Sequence, residues 1–163
     1  MVIAKSRART FRCPLQTDIV QDEYAGECIQ YFIDPAQSVV WTVVHGDLSA
    51  NLLRRAAAMI ASDVDYRPCM DVYVDCRVVT TAPEEQEVRA IAIDRMLCKC
   101  TGPVGRVAIV VMTRLGLQWA DTIELYSDAP NPDVAVFTAP APALAWLGLS
   151  CGPPQIVDNS PLP

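Results

Sequence analysis

The chain has 163 residues, 52% of them hydrophobic, and a formal net charge of −6. That length suits one domain with a sizeable core, and the apolar content excludes a disordered chain. No apolar run approaches the roughly 20 residues needed to cross a bilayer, so the sequence reads as soluble, with no integral membrane segment.

Lys5, Arg7, Arg9 and Arg12 place +4 in the first twelve residues and leave −10 for the remainder. An acidic body repels phosphate backbones, which speaks against nucleic acid as a partner. The basic start carries Ser6 and Thr10 and no acid before Asp18. It fits a transit peptide, a lipid-touching arm or a solvated, partly flexible extension, and it lacks the apolar core of a secretory signal. Residues 1–27 are read as that extension.

Cys28–Ile33 and Ser38–Val44 form a predicted hairpin around Asp34-Pro35-Ala36-Gln37, whose proline presets one turn dihedral. Val39, Val40, Trp41, Val43 and Val44 read as a strand covered on both faces, ended by His45-Gly46-Asp47. The face of Val39, Trp41 and Val43 needs a cover. A twin subunit would supply it in a homodimer, and so would a short helix carrying Ile19, Val20 and Tyr24.

Ser49 is the expected N-cap of a first helix, with Leu48 and Leu53 at staple positions. Leu52, Leu53, Ala56, Met59 and Ile60 supply its apolar stripe. A strand from about Asp71 to Cys76 follows. Thr81-Ala82-Pro83-Glu84 has capping-box spacing and opens a second helix that runs to Cys100 and stops at Gly102-Pro103. Gly105–Met112 is the most apolar strand and is expected at the sheet centre.

Strand, helix and strand between Met70 and Met112 make a βαβ unit, which requires parallel neighbours. A third helix carries Leu115, Trp119, Ile123 and Tyr126. A fifth strand spans Val134–Phe137, and a fourth helix spans Pro142–Leu147. The prolines after Ser150 mark a tail over residues 150–163. The fold class is therefore α/β: a mostly parallel five-stranded sheet with an N-terminal antiparallel hairpin and four helices, in one domain over residues 28–149.

Cysteines at 13, 28, 69, 76, 98, 100 and 151 are odd in number and form no regular framework, as expected of reduced thiols in a cytoplasmic protein. Cys98 and Cys100 lack a second pair to complete a zinc site and read as structural thiols.

The order β-β-α-β-α-β-α-β-α, with Gly46-Asp47-Leu48-Ser49, Tyr66-Arg67-Pro68, Val74-Asp75-Cys76-Arg77, Gly105-Arg106-Val107-Ala108-Ile109-Val110 and Trp146-Leu147, resembles the STAS-like proteins over about Cys28–Gly148. Those share the fold of bacterial anti-sigma-factor antagonists and have a looser likeness to lipid-binding Sec14-type domains. The resemblance implies a sequential, mostly parallel sheet and no cofactor. In the regulatory branch a phosphorylatable serine or threonine opens the helix after the second parallel strand. Here Thr80-Thr81-Ala82-Pro83 stands there, without the family's acidic residue, paired serines and glycine.

In an open parallel sheet, ligands gather outside the carboxyl ends of the strands. His45 and Asp47 follow one strand, Asp75, Arg77, Thr80 and Thr81 the next, and Arg114 the third. These seven are the candidate ligand-binding residues. Each also has a structural reading: Asp75 and Arg77 can shape the following loop, Arg114 can cap carbonyls, and His45 can simply be hydrogen-bonded. Cys76 reads as a buried filler, or as a thiol activated by Arg77. No nucleophile elbow, Walker loop or dinucleotide glycine motif is present.

The expected function is a non-enzymatic regulatory or interaction module that binds a partner protein or small ligand. The alternatives are a Sec14-like carrier of amphipathic ligands, and a small hydrolase or transferase using His45 and Asp75.

Overall fold

The computed structural model of the chain describes residues 18–21, 28–81, 84, 86, 105–114, 117–118 and 134–152. They form a six-stranded sheet of order β1 to β6, each strand beside its sequence neighbour. The strands are β1 (Asp18–Gln21), β2 (Cys28–Asp34), β3 (Val39–Asp47), β4 (Asp71–Thr81), β5 (Val107–Val110) and β6 (Val134–Phe137). β1, β2 and β3 pair antiparallel, and β3 to β6 pair parallel. Two helices, α1 (Ala50–Ser62) and α2 (Pro140–Leu147), are described in full.

The five expected strands are all present, and the hairpin turn forms as its composition requires. Asp34 Oδ1 accepts from the amides of Ala36 and Gln37 at 2.9 and 3.2 Å, an Asx-type closure. Residues 18–21 of the N-terminal extension are a sixth strand, not the short helix expected around Ile19 and Val20; Tyr24 lies outside the described residues. Pairing with the open edge of β2 satisfies backbone groups that a short helix would leave unused. β5 lies one strand in from the edge rather than at the centre, and its four residues are buried because both sheet faces are covered there.

Strand alternation divides the core in two. Ile29, Tyr31, Val40, Val44, Val107 and Ile109 pack on one face with Leu48, Leu52 and Ala56. Ser49 caps α1 as expected, its hydroxyl accepting from Leu52 N at 3.2 Å. Met59, expected in the buried stripe, is 39% exposed, because Leu52, Ala56 and the partly buried Leu53 and Ile60 already cover the contact.

On the second face Val39, Trp41, Tyr73, Ala108 and Val110 pack against Ala143 and Leu147 of α2. The cover for Val39 and Trp41 therefore includes the C-terminal helix of the same chain. α2 begins at Pro140, two residues before its expected start, and ends at Gly148. The φ of +71° at Gly148 lets the Leu149 amide reach back to the Leu144 carbonyl at 2.9 Å. The second and third expected helices fall largely outside the described residues; Gln86, Arg114, Leu117 and Gln118 are helical.

Arg106 ties the amino ends of β4 and β5 to the end of α2. Its amide and Nη2 donate to Asp71 at 2.8 and 2.6 Å, and its Nη1 and Nη2 donate to the carbonyls of Trp146 and Leu147 at 2.6 and 2.9 Å. The guanidinium also lies 5.6 Å from the centre of the Trp146 ring. A cation there satisfies carbonyls left open at the helix end and complements its dipole.

Gly105 beside it sits so close to the backbone before β4 that a Cβ would lie 2.7 Å from both Asp71 Oδ1 and the Cys69 carbonyl. Gly105→Ala is expected to cost about 2 kcal/mol by overpacking. Arg106→Met is expected to cost a similar amount, about 2 kcal/mol, by stranding Asp71 and two carbonyls. Urea unfolding midpoints at constant m-value check both.

Candidate functional site

β4 is longer than its sequence pattern implied, and this decides where the candidate residues lie. It does not end at Cys76, because Cys76 and Val79 remain buried in the α1-side core and carry the strand to Thr81. Pairing with β3 shifts twice. Val43 opposes Asp75 but His45 opposes Val78, and Gly46 opposes Val79 but Asp47 opposes Thr81. At each shift β4 holds one residue more than β3, the signature of a bulge. β3 likewise runs on through His45, Gly46 and Asp47 instead of ending before them. The candidate residues other than Arg114 are thus strand residues, staggered along the last half of β3 and β4.

They form two groups. Asp47 closes β3, and Thr80 Oγ1 donates to its Oδ1 at 2.6 Å. Hydrogen bonds from Thr80 and then Thr81 hold the Asp47 carboxyl below its usual pKa of 3.8, against a smaller opposing effect of burial. Thr81 also accepts from the Leu48 amide through its carbonyl at 3.1 Å, which fixes the β4 end against the start of α1.

The second group is Asp75 with Arg77. Asp75 opposes Val43 and Val110 in register, inside the sheet, and is 4% exposed. Arg77 folds back on it. Nε donates to Oδ1 at 2.8 Å and Nη2 to Oδ2 at 2.6 Å, while the Arg77 amide reaches Oδ1 at 3.1 Å. This hydrogen bonding raises the Arg77 pKa further above its ordinary value.

From Asp75 to Thr81 the strand climbs roughly 15–20 Å at about 3.3 Å per residue. The nearest members of the two groups, Arg77 and Thr80, are three residues apart on β4, about 10 Å, and among the described residues no hydrogen bond joins the groups. His45 lies between them in register, half-buried, and Arg114 is exposed after β5. Among the described residues no hydrogen bond joins either one to Asp47 or Asp75. Both oxygens of Asp75, the partner His45 would need as a base, accept from Arg77.

Sequence reasoning passed over Gln30, Trp41 and Tyr73. All three belong to the face opposite α1, and among the described residues the buried Gln30 Oε1, Trp41 Nε1 and Tyr73 hydroxyl have no hydrogen-bond partner, nor does Thr42 Oγ1 on the α1 side. Trp41 and Tyr73 stack at a tilt, centroids 5.2 Å apart. The available signal was alternation: Tyr73, Asp75 and Arg77 are spaced by two, but apolar context made Tyr73 and Trp41 look like plain core. Burial and then the Asp75 charge raise the Tyr73 hydroxyl to about 12, partly offset by Arg77.

Cys76 is buried, and burial, with a further push from Asp75, raises its thiol to about 12. That is the filler reading, not the activated one. Among the described residues no group of three or more His, Cys, Asp or Glu could hold a metal ion, and no helix is long and apolar enough to cross a membrane. No family model matches the chain, and no curated protein matches its sequence.

Two outcomes follow from these environments. Asp47 should titrate below 3.8 in the folded protein, and Thr80→Val should move its midpoint upward in a carboxyl NMR titration. Because the folded pKa is depressed, this carboxylate favours folding above about pH 3.8 and loses that effect as pH falls through its folded value. With iodoacetamide at pH 8, Cys69 and Cys151, both exposed, should be alkylated in the native protein, whereas Cys76 should react only after unfolding, as read by peptide mass mapping.

Proposed function

We propose that the chain is a non-enzymatic, STAS-like interaction module that takes a small ligand or a partner protein at the carboxyl ends of β3 and β4. The observation that carries this reading is that each carboxylate of the region is already engaged by neighbours on the sheet. Asp47 is held by Thr80 and Thr81, and Asp75 by Arg77. Carboxylates held this way suit recognition, presenting fixed charge and fixed donors. A general base needs a free lone pair and a pKa near the working pH, and the depressed Asp47 has moved in the other direction.

The sequential parallel order supports the resemblance to STAS-like proteins, since it brings the ends of neighbouring strands to one border. Within that border the Asp47–Thr80–Thr81 group, with Leu48 and Ser49 leading into α1, is the assigned contact surface. His45 and Arg114 flank it.

Titration of 15N-labelled protein with a low-molecular-mass metabolite extract is expected to perturb the amides of residues 46–48 and 79–81. The same perturbations should be lost in Asp47→Ala. Perturbations confined to other parts of the sheet would overturn the assignment of the surface. Turnover of an extract component that disappears in His45→Ala would overturn the non-enzymatic reading. A lipid that copurifies in native mass spectrometry would favour amphipathic-ligand carriage instead.

A further inference from the structure

Tyr73, Asp75 and Arg77 stand at successive positions on one face of β4 and differ sharply in what they can reach. Asp75 is 4% exposed and Tyr73 1% exposed, whereas the Arg77 side chain is 40% exposed. Arg77 uses Nε and Nη2 on Asp75, and among the described residues its Nη1 makes no hydrogen bond. Among the described residues the buried Tyr73 hydroxyl has no hydrogen-bond partner, and it stands two residues from a buried carboxylate whose charge it feels. A phenylalanine would fill the same space beside Trp41 without leaving that hydroxyl unsatisfied, so the oxygen needs another explanation.

We propose that these three residues form a partner-exchange site for an oxyanion. A carboxylate or phosphate group arriving from solvent pairs with Arg77 and draws it off Asp75, and the freed Asp75 carboxylate swings to accept from the Tyr73 O–H. Asp75 and Arg77 keep a partner in both states, and the Tyr73 hydroxyl gains one on exchange. Without Tyr73, release of Arg77 would strand a buried charge, which is the costly event in any buried ion pair. With it, a charge-assisted O–H···O⁻ bond replaces the lost one. Arginine suits the exposed role because its planar fork matches either kind of oxyanion bidentately. Asp75 thus holds Arg77 ready and repels the anion until the exchange is made.

This inference rests on the reading of the chain as a binding module, but it concerns the Asp75 group and not the Asp47 surface. The test is NMR titration of the whole chain with inorganic phosphate and, separately, acetate, each against sodium chloride at equal ionic strength. The Arg77 Nε–H and Trp41 indole N–H signals are the readouts, since Trp41 packs on Tyr73. Saturable shifts with one or both oxyanions, beyond those with chloride, are expected, and the arm that saturates names the preferred class. Tyr73→Phe should weaken that apparent affinity roughly tenfold while leaving the urea midpoint unchanged or raised. Arg77→Gln should abolish the response.

Shifts that chloride reproduces, or unaltered affinity in Tyr73→Phe, would overturn the exchange. So would a lowered urea midpoint in Tyr73→Phe, which would show the hydroxyl already partnered. If the oxyanions fail while the metabolite extract still perturbs residues 46–48, only the exchange falls. If Arg77 responds and that surface stays silent, the exchange stands and the Asp47 reading falls.

Discussion

The architecture turns on one arginine. Arg106 stands where β5 begins, and its guanidinium spans Asp71 at the start of β4 and the last two carbonyls of α2. Three elements far apart in sequence meet on that one planar group. The Gly105 amide donates to the Met70 carbonyl at 3.0 Å, and the Val72 amide to the Arg106 carbonyl at 2.8 Å. Parallel pairing is only slightly less stable per residue than antiparallel, but its strands arrive from distant segments, and something must fix their register. A polar clamp at the amino ends does so and leaves the carboxyl ends unencumbered. The same clamp holds α2 over Trp41 and Tyr73, which makes the second face of the sheet a core rather than a surface.

At the other end of the strands, length does the sorting. β3 and β4 begin in step and fall out of it twice, and each shift adds a residue to β4. The first leaves both Arg77 and Val78 exposed between the buried Cys76 and Val79. The second delivers Thr80 and Thr81 to Asp47. Two polar groups result, one inside the sheet and one at its border, each internally satisfied. Among the described residues no hydrogen bond joins the two groups.

The face opposite α1 carries a tension that packing alone does not resolve. Apolar side chains dominate it, yet Gln30, Trp41 and Tyr73 bury polar atoms that have no partner among the described residues. Folding tolerates few such atoms, because each gives up its hydrogen bonds to water and receives nothing in return. Local conflict of this kind concentrates where a protein binds or switches. The Tyr73 hydroxyl lies two residues from the ion pair of Asp75 with the partly exposed Arg77.

Much of the architecture was legible in the sequence, because periodicity and turn chemistry are local. Asp34-Pro35 closed the first hairpin, Ser49 capped α1, and unbroken valine runs announced strands covered on both faces. Parallel neighbours followed from the strand–helix–strand order between Met70 and Met112. What those signals could not carry was anything set by a neighbour distant in sequence. β1 joined the edge because β2 had unpaired backbone groups, and Met59 stayed exposed because other side chains had filled its place. β4 passed Cys76 because β3 continued beside it, so Asp75 became an interior residue. By itself the sequence determined the α/β class, the parallel neighbours and the polar residues near the strand ends, since each depends on spacing along the chain. Only the tertiary structure decided which of those residues meet, because a bulge in one strand is defined by the register of another.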